Sequence, residues 1–154
     1  MAKQSAGVLV YRGRGSELEV LLVHPGGPFW AKKDDGAWFI PKGEMEPGEE
    51  PLETALREFR EELGMDPPSG EPLALGTVKN KGGKLIHAWA LSGAVELEGF
   101  RSNTFQLEWP PRSGKMQEFP EVDRARYFCV AEATQKMHAA EQPLLARLLE
   151  LLVT

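Results

Sequence analysis

Three glutamates, Glu58, Glu61 and Glu62, stand at i, i+3 and i+4 directly behind a glycine- and proline-rich stretch that begins at Trp38. On a helix, Glu61 falls about 60° to one side of Glu58 and Glu62 about 40° to the other, so all three project within one sector. Leu52, Ala55, Leu56, Phe59 and Leu63 fall together beside them, giving an apolar face with an adjoining acidic edge. Like charges at these spacings repel by roughly 0.2–0.5 kcal/mol per pair on an exposed helix, and by more where water is partly excluded. A divalent cation removes that repulsion. An all-oxygen donor set suits Mg2+, and Mn2+ tolerates the same ligands. The three acids alone describe a solvated charged face just as well, because Arg57 and Arg60 sit among them.

The wider pattern separates these readings. Gly43, Glu49, Arg57, Glu58, Phe59, Glu61, Glu62, Gly64 and Met65 form one series: glycine, five residues, glutamate, seven residues, then Arg-Glu-apolar-any-Glu-Glu-any-Gly-apolar. The run from Gly43 to Met65 resembles the Nudix box and matches it at every specified position. The resemblance implies an α+β fold, a mixed β-sheet sandwiched between helices (α/β/α). It also implies metal-dependent hydrolysis of a diphosphate linkage in a nucleotide, with water attacking phosphorus. By resemblance, Glu58, Glu61 and Glu62 are metal ligands, the Gly43 carbonyl is a further ligand, and Arg57 pairs with Glu49 to orient a glutamate. The general base stays open between a box glutamate and an acid of a late loop, where Glu118 and Glu121 stand.

The segment from Trp38 to Gly43 is similar to the box entry of Nudix enzymes that act on dinucleoside polyphosphates or diphosphoinositol polyphosphates. Lys42 and Lys81 are expected to hold phosphate oxygens as point charges. Trp30, Trp109 and Phe119 are candidate stacking partners for a base, a contact worth ~1–3 kcal/mol. The expected substrate is a dinucleoside polyphosphate, ahead of a nucleoside triphosphate. A nucleoside diphosphate sugar or an RNA 5' end are alternatives, and a non-catalytic nucleotide-binding module is the rival of another class.

The elements that must position these groups follow from the rest of the chain. With 154 residues, 42% hydrophobic and 27% charged, residues 1–154 are expected to form a single domain that buries roughly 70% of its unfolded surface. A net charge of -5 argues against a general duplex-binding protein, which needs a basic stripe. No run approaches the ~20 apolar residues of a membrane span, and one cysteine, Cys129, provides no disulfide framework. A cytoplasmic protein with a small-molecule nucleotide substrate is expected, as monomer or homodimer. His24, His87 and His138 are scattered, which argues against a zinc site.

Strands are expected over Ala6 to Tyr11, Leu18 to His24 and Trp38 to Ile40, the last stopped by Pro41 and followed by a tight loop around Gly43 and Gly48. A helix is expected from near Pro51 to Gly64. A strand pair follows over Pro72 to Asn80 and Lys84 to Leu91. Then come a strand from Thr104 to Trp109, a loop carrying Glu118 to Asp123, a strand at Arg126 to Val130 and two closing helices. Cys129 is expected to be a small buried hydrophobe, and Trp38 and Trp89 to lie in the core.

Overall fold

The computed structural model describes residues 3–153. One mixed sheet is built from β1 (Gln4–Arg12), β2 (Glu19–Pro25), β3 (Lys42–Glu44), β4 (Leu73–Lys79), β5 (Leu85–Ser92) and β8 (Val122–Cys129), all but β3 carrying apolar side chains. The order is β4-β5-β1-β2-β8, with β3 added to β1. A separate hairpin holds β6 (Thr104–Glu108) and β7 (Met116–Pro120).

The two faces of the sheet bury different residues of the same strands, as the period-2 alternation of a strand requires. On one face Leu9, Val20, Leu22, Ile86 and Phe128 pack with Trp38, Met137, Leu144, Leu145 and Leu148, beneath α2 (Val130–Lys136) and α3 (Gln142–Leu152). On the other, Val8, Val10, Leu21 and Val23 pack with Ala55, Phe59 and Leu63 of α1 (Pro51–Leu63). The result is the α/β/α sandwich that the sequence leads one to expect.

One irregularity creates the site. β1 runs parallel to β5 along nearly its whole length, from Gln4 opposite Leu85 to Tyr11 opposite Ser92. It pairs with β2 only at Tyr11 and Arg12, and near its start it pairs with β3, Ala6 facing Gly43. Between these points β1 and β2 part. Residues 38–44 fill the opening: Phe39 exchanges backbone hydrogen bonds with Val23, at 2.8 and 2.9 Å, and the Pro41 carbonyl accepts the Val8 N–H at 3.1 Å. The chain thus crosses from the edge of β2 to the edge of β1 within a few residues.

Several local expectations need correction. Lys42 to Glu44 is a strand rather than part of a tight loop, because β1 offers it an open edge. Trp38 and Phe39 form single bridges, to Met137 and Val23, rather than a strand of their own. Glu118 lies within β7, opposite Gln106, instead of in a loop. Cys129 is only half-buried, and its thiol reaches Glu132 Oε1 at 3.3 Å. Trp89 is likewise half-buried, beside the α1 layer, whereas Trp38 is fully enclosed. On α1, Leu52 and Leu56 are half-buried and Thr54 takes a buried position, its hydroxyl satisfied by Glu49 at 2.6 Å.

Candidate functional site

The segment from Lys42 to Leu63 positions most of the acids. Pro51 stands at the start of α1, and Gly64 ends it in the left-handed conformation with φ 68°, which costs glycine no Cβ clash. Within this frame Arg57 is the hub. Its Nε and Nη2 donate to Glu49 at 2.7 and 2.9 Å, a two-pronged carboxylate clasp. Its Nη1 donates to Glu58 at 2.8 Å and to Glu61 at 3.1 Å, and Nη2 also reaches the Glu44 carbonyl at 3.2 Å. One guanidinium therefore ties the box loop to two of the three helix acids.

Glu49 is further held by Thr54 Oγ1 and by the Glu46 N–H, the latter at 3.1 Å. The Arg57 hydrogen bonds, followed by these two, bring its carboxyl down to about 2. Glu58 experiences the opposite balance. Its carboxylate lies where a Cβ on residue 43 would project, so only glycine leaves room for it. Burial raises its pKa; the Arg57 bond opposes the rise, and the nearby charges of Glu61 and Glu121 add to it. Glu62 accepts the Lys42 backbone N–H at 3.1 Å, and burial pushes its carboxyl up to about 8 against the pull of the Lys42 charge.

Beside this acidic edge lie two small cavities. One, of about 180 Å³, is lined by Val23, Trp30, Phe39, Lys42, Glu62 and Glu121, among others. The second, of about 230 Å³, is lined by Trp30, Phe39, Lys42, Asn80, Lys81, His138 and Glu141, among others. Trp30, Phe39 and Lys42 thus form the partition between an acidic compartment and an aromatic one. Trp30 meets Phe39 edge-on at 5.5 Å, Phe39 stacks on the His138 ring at 4.9 Å, and the Lys42 ammonium lies over Phe39 at 4.4 Å.

Of the residues singled out from the sequence, Glu49, Arg57, Glu58 and Glu61 meet in the guanidinium cluster. Lys42, Trp30, Glu62 and Glu121 meet at the first cavity, and Lys81 at the second. Trp109 sits apart, edge-on to Phe29 at 5.4 Å, and Glu118 is carried on the β6–β7 hairpin. Phe119 packs against Phe105 at 6.0 Å. Sequence reasoning missed Phe39, His138 and Glu141. Phe39 carried a weak signal, as an aromatic next to the box entry. Glu141 carried none, since an acid just before an apolar helix reads as an ordinary helix-start residue.

Among the described residues, no three carboxylate, histidine or thiol groups are gathered about one point, because Glu58 and Glu61 lean on Arg57 and Glu62 on the Lys42 amide. The donor set nonetheless fits a hard divalent cation. It consists of oxygen donors alone, and two of its carboxylates already converge on a positive group. No helix among the described residues is long and apolar enough to cross a membrane.

Comparison with known proteins bears on the same region. The asymmetrical bis(5'-nucleosyl)-tetraphosphatase of Sus scrofa is 38% identical over 72 residues, which cover 43% of this chain and 45% of that protein. The chain therefore spans less than half the length of that relative. In solved structures, the Ap4A hydrolase of C. elegans superposes with a TM-score of 0.68 at 20% identity, covering 97% of this chain and 98% of that one. The NUDIX domain of Shewanella oneidensis NrtR, in complex with ADP ribose, superposes with a TM-score of 0.66 at 18% identity, covering 99% and 89%. Both likenesses bear on the fold. The family model of the NUDIX domain matches residues 1–149, and with the box residues disposed as described, this chain belongs to the Nudix family.

Proposed function

We propose that this protein is a metal-dependent pyrophosphohydrolase that cleaves a phosphoanhydride bond in a nucleotide, with a dinucleoside polyphosphate as the preferred substrate class. The observation that carries this reading is the acidic edge of α1, braced by Arg57 and Glu49, beside a cavity that holds both Lys42 and Glu121. Glu58, Glu61 and Glu62, with the Gly43 carbonyl, would hold Mg2+ or Mn2+. When bound, such an ion neutralises charge that builds on the leaving phosphate and lowers the pKa of the attacking water.

The chain's own residues supply the rest. Arg57 and Glu49 keep the helix acids in register with the box loop. Lys42 presents a point charge to a phosphate oxygen. Glu121 faces the cavity as a proton acceptor for water, and its place there favours it over Glu118 as general base. The likeness to the bis(5'-nucleosyl)-tetraphosphatase supports the substrate class. Trp30 and Phe39 offer ring faces beside Lys42, and Lys81 lies across the second cavity.

The test is incubation with Mg2+ and a panel of dinucleoside polyphosphates, nucleoside triphosphates and nucleoside diphosphate sugars, with products separated by anion exchange. Mg2+-dependent turnover, fastest on a dinucleoside polyphosphate, is expected. Nucleotide binding without turnover of any member would overturn the enzymatic reading.

A further inference from the structure

Glu141 is 1% exposed and ends the short turn Ala139–Glu141 that precedes α3. Its two carboxylate oxygens serve two residues on either side of Pro41. Oε1 accepts the Ile40 N–H at 2.8 Å, and Oε2 lies 2.8 Å from the Lys42 ammonium. The first contact follows from the parting of β1 and β2. Phe39 still pairs with β2 and the Pro41 carbonyl already pairs with β1. The Ile40 N–H falls at the crossing and finds its acceptor on a side chain.

That backbone need does not explain a charged residue, because a neutral amide oxygen would satisfy one N–H. Enclosing a carboxylate is costly unless a countercharge accompanies it, and Lys42 is that countercharge. The contact at Oε2 is a charge pairing rather than an aligned hydrogen bond. Among the described residues, Nζ makes no hydrogen bond to any other group, so the ammonium keeps donors for a ligand. The pairing therefore fixes where the ammonium sits and leaves it donors for a ligand. That position is the partition between the two cavities.

We infer that Glu141 is the positioning residue for Lys42: it holds the ammonium at the junction of the two cavities, where that ammonium binds the polyphosphate of the substrate. The inference rests on the proposed phosphoanhydride substrate. It adds a residue more than 70 positions beyond the box and predicts how that residue acts.

Glu141→Gln keeps an oxygen for Ile40 and removes the charge that holds Lys42. Steady-state kinetics on the best-cleaved substrate are compared in four proteins: wild type, Glu141→Gln, Lys42→Met and the double variant, each with its melting temperature. Glu141→Gln is expected to raise KM about 10-fold, with kcat within about 2-fold, and to have no further effect once Lys42 is methionine. An equal loss in both backgrounds would show a purely structural role and overturn the inference, as would an unchanged KM in the single variant.

A second measurement needs no variant. In the wild type, the Lys42 ammonium should give a nitrogen-resolved NMR signal that persists near neutral pH and shifts when inorganic pyrophosphate is added with Mg2+. Absence of that signal, or of the shift, would overturn the inference. Failure of all turnover in the wild type would instead sink the enzymatic reading, leaving the NMR experiment to decide on the Glu141–Lys42 pair.

Discussion

Two carboxyls of one box are driven in opposite directions. Glu62, pushed up to about 8 from an ordinary value of 4.5, binds its proton more tightly in the fold than in the unfolded chain. Its contribution to stability is full below the unfolded value and is lost as pH rises through about 8. Glu49, brought down to about 2, behaves conversely: its contribution is present above 4.5 and is lost as pH falls through about 2. With a chelator present, the melting temperature of the wild type should decline between about pH 5 and about pH 8. Glu62→Gln should flatten that decline and melt at or above the wild type at the alkaline end, and an unaltered slope would contradict the assignment. For turnover, Glu61→Gln and Glu62→Gln should each lower the rate at least ~100-fold in a folded protein. Unchanged rates would remove both residues from the site. The three helix acids were legible in the sequence because helical period and box pattern are both local. Glu121 was legible only as one of a pair with Glu118. Glu118 is held within β7 by its pairing with β6, whereas Glu121 is the residue between β7 and β8 and lines the cavity, and a strand pairing of that kind is not written in composition.

At the scale of elements, α1 and β3 depend on two glycines for different reasons. At Gly43 the obstacle is the Glu58 carboxylate, so Gly43→Ala should displace that carboxylate and lower turnover by at least ~10-fold. Circular dichroism would separate this from unfolding. At Gly64 both the positive φ and the Arg101 carbonyl, 2.7 Å from where a Cβ would lie, resist substitution. Gly64→Ala should cost about 1–2 kcal/mol in denaturant unfolding with little effect on kcat. Helix α1 was readable at both ends because Pro51 and Gly64 punctuate it. Strand β3 was not, since a lysine, a glycine and a glutamate have no strand propensity, and only the open edge of β1 makes a strand of them.

In the whole molecule, contacts distant in sequence carry the site. His24 is fully enclosed; its ring nitrogens reach Asp123 Oδ1 at 2.8 Å and the Lys33 carbonyl at 2.7 Å. It joins β2 and β8 to the loop that bears Trp30. His24→Ala should therefore cost roughly 2–4 kcal/mol in chemical denaturation and raise KM through a loosened Trp30, and an unaltered unfolding midpoint would refute this role. The strand-rich character and the closing helices were legible in the residue patterns, while the α/β/α layer order came with the resemblance carried by the box. Contacts such as Glu141 to Ile40, separated by 101 residues, were hidden, since they exist only once the topology has formed.

The opening between β1 and β2 also ties function to cooperativity. The groups around it come from residues 5–8, 23, 38–44 and 137–141, and so from segments far apart along the chain. No locally folded fragment can assemble them, and the slow, long-range closure of the sheet must come first. The amides of Val8, Ile40 and Lys42 should then exchange with solvent only through global opening. Activity on heating should vanish along the same curve as the core, with no stage at which the fold persists and the site has already come apart.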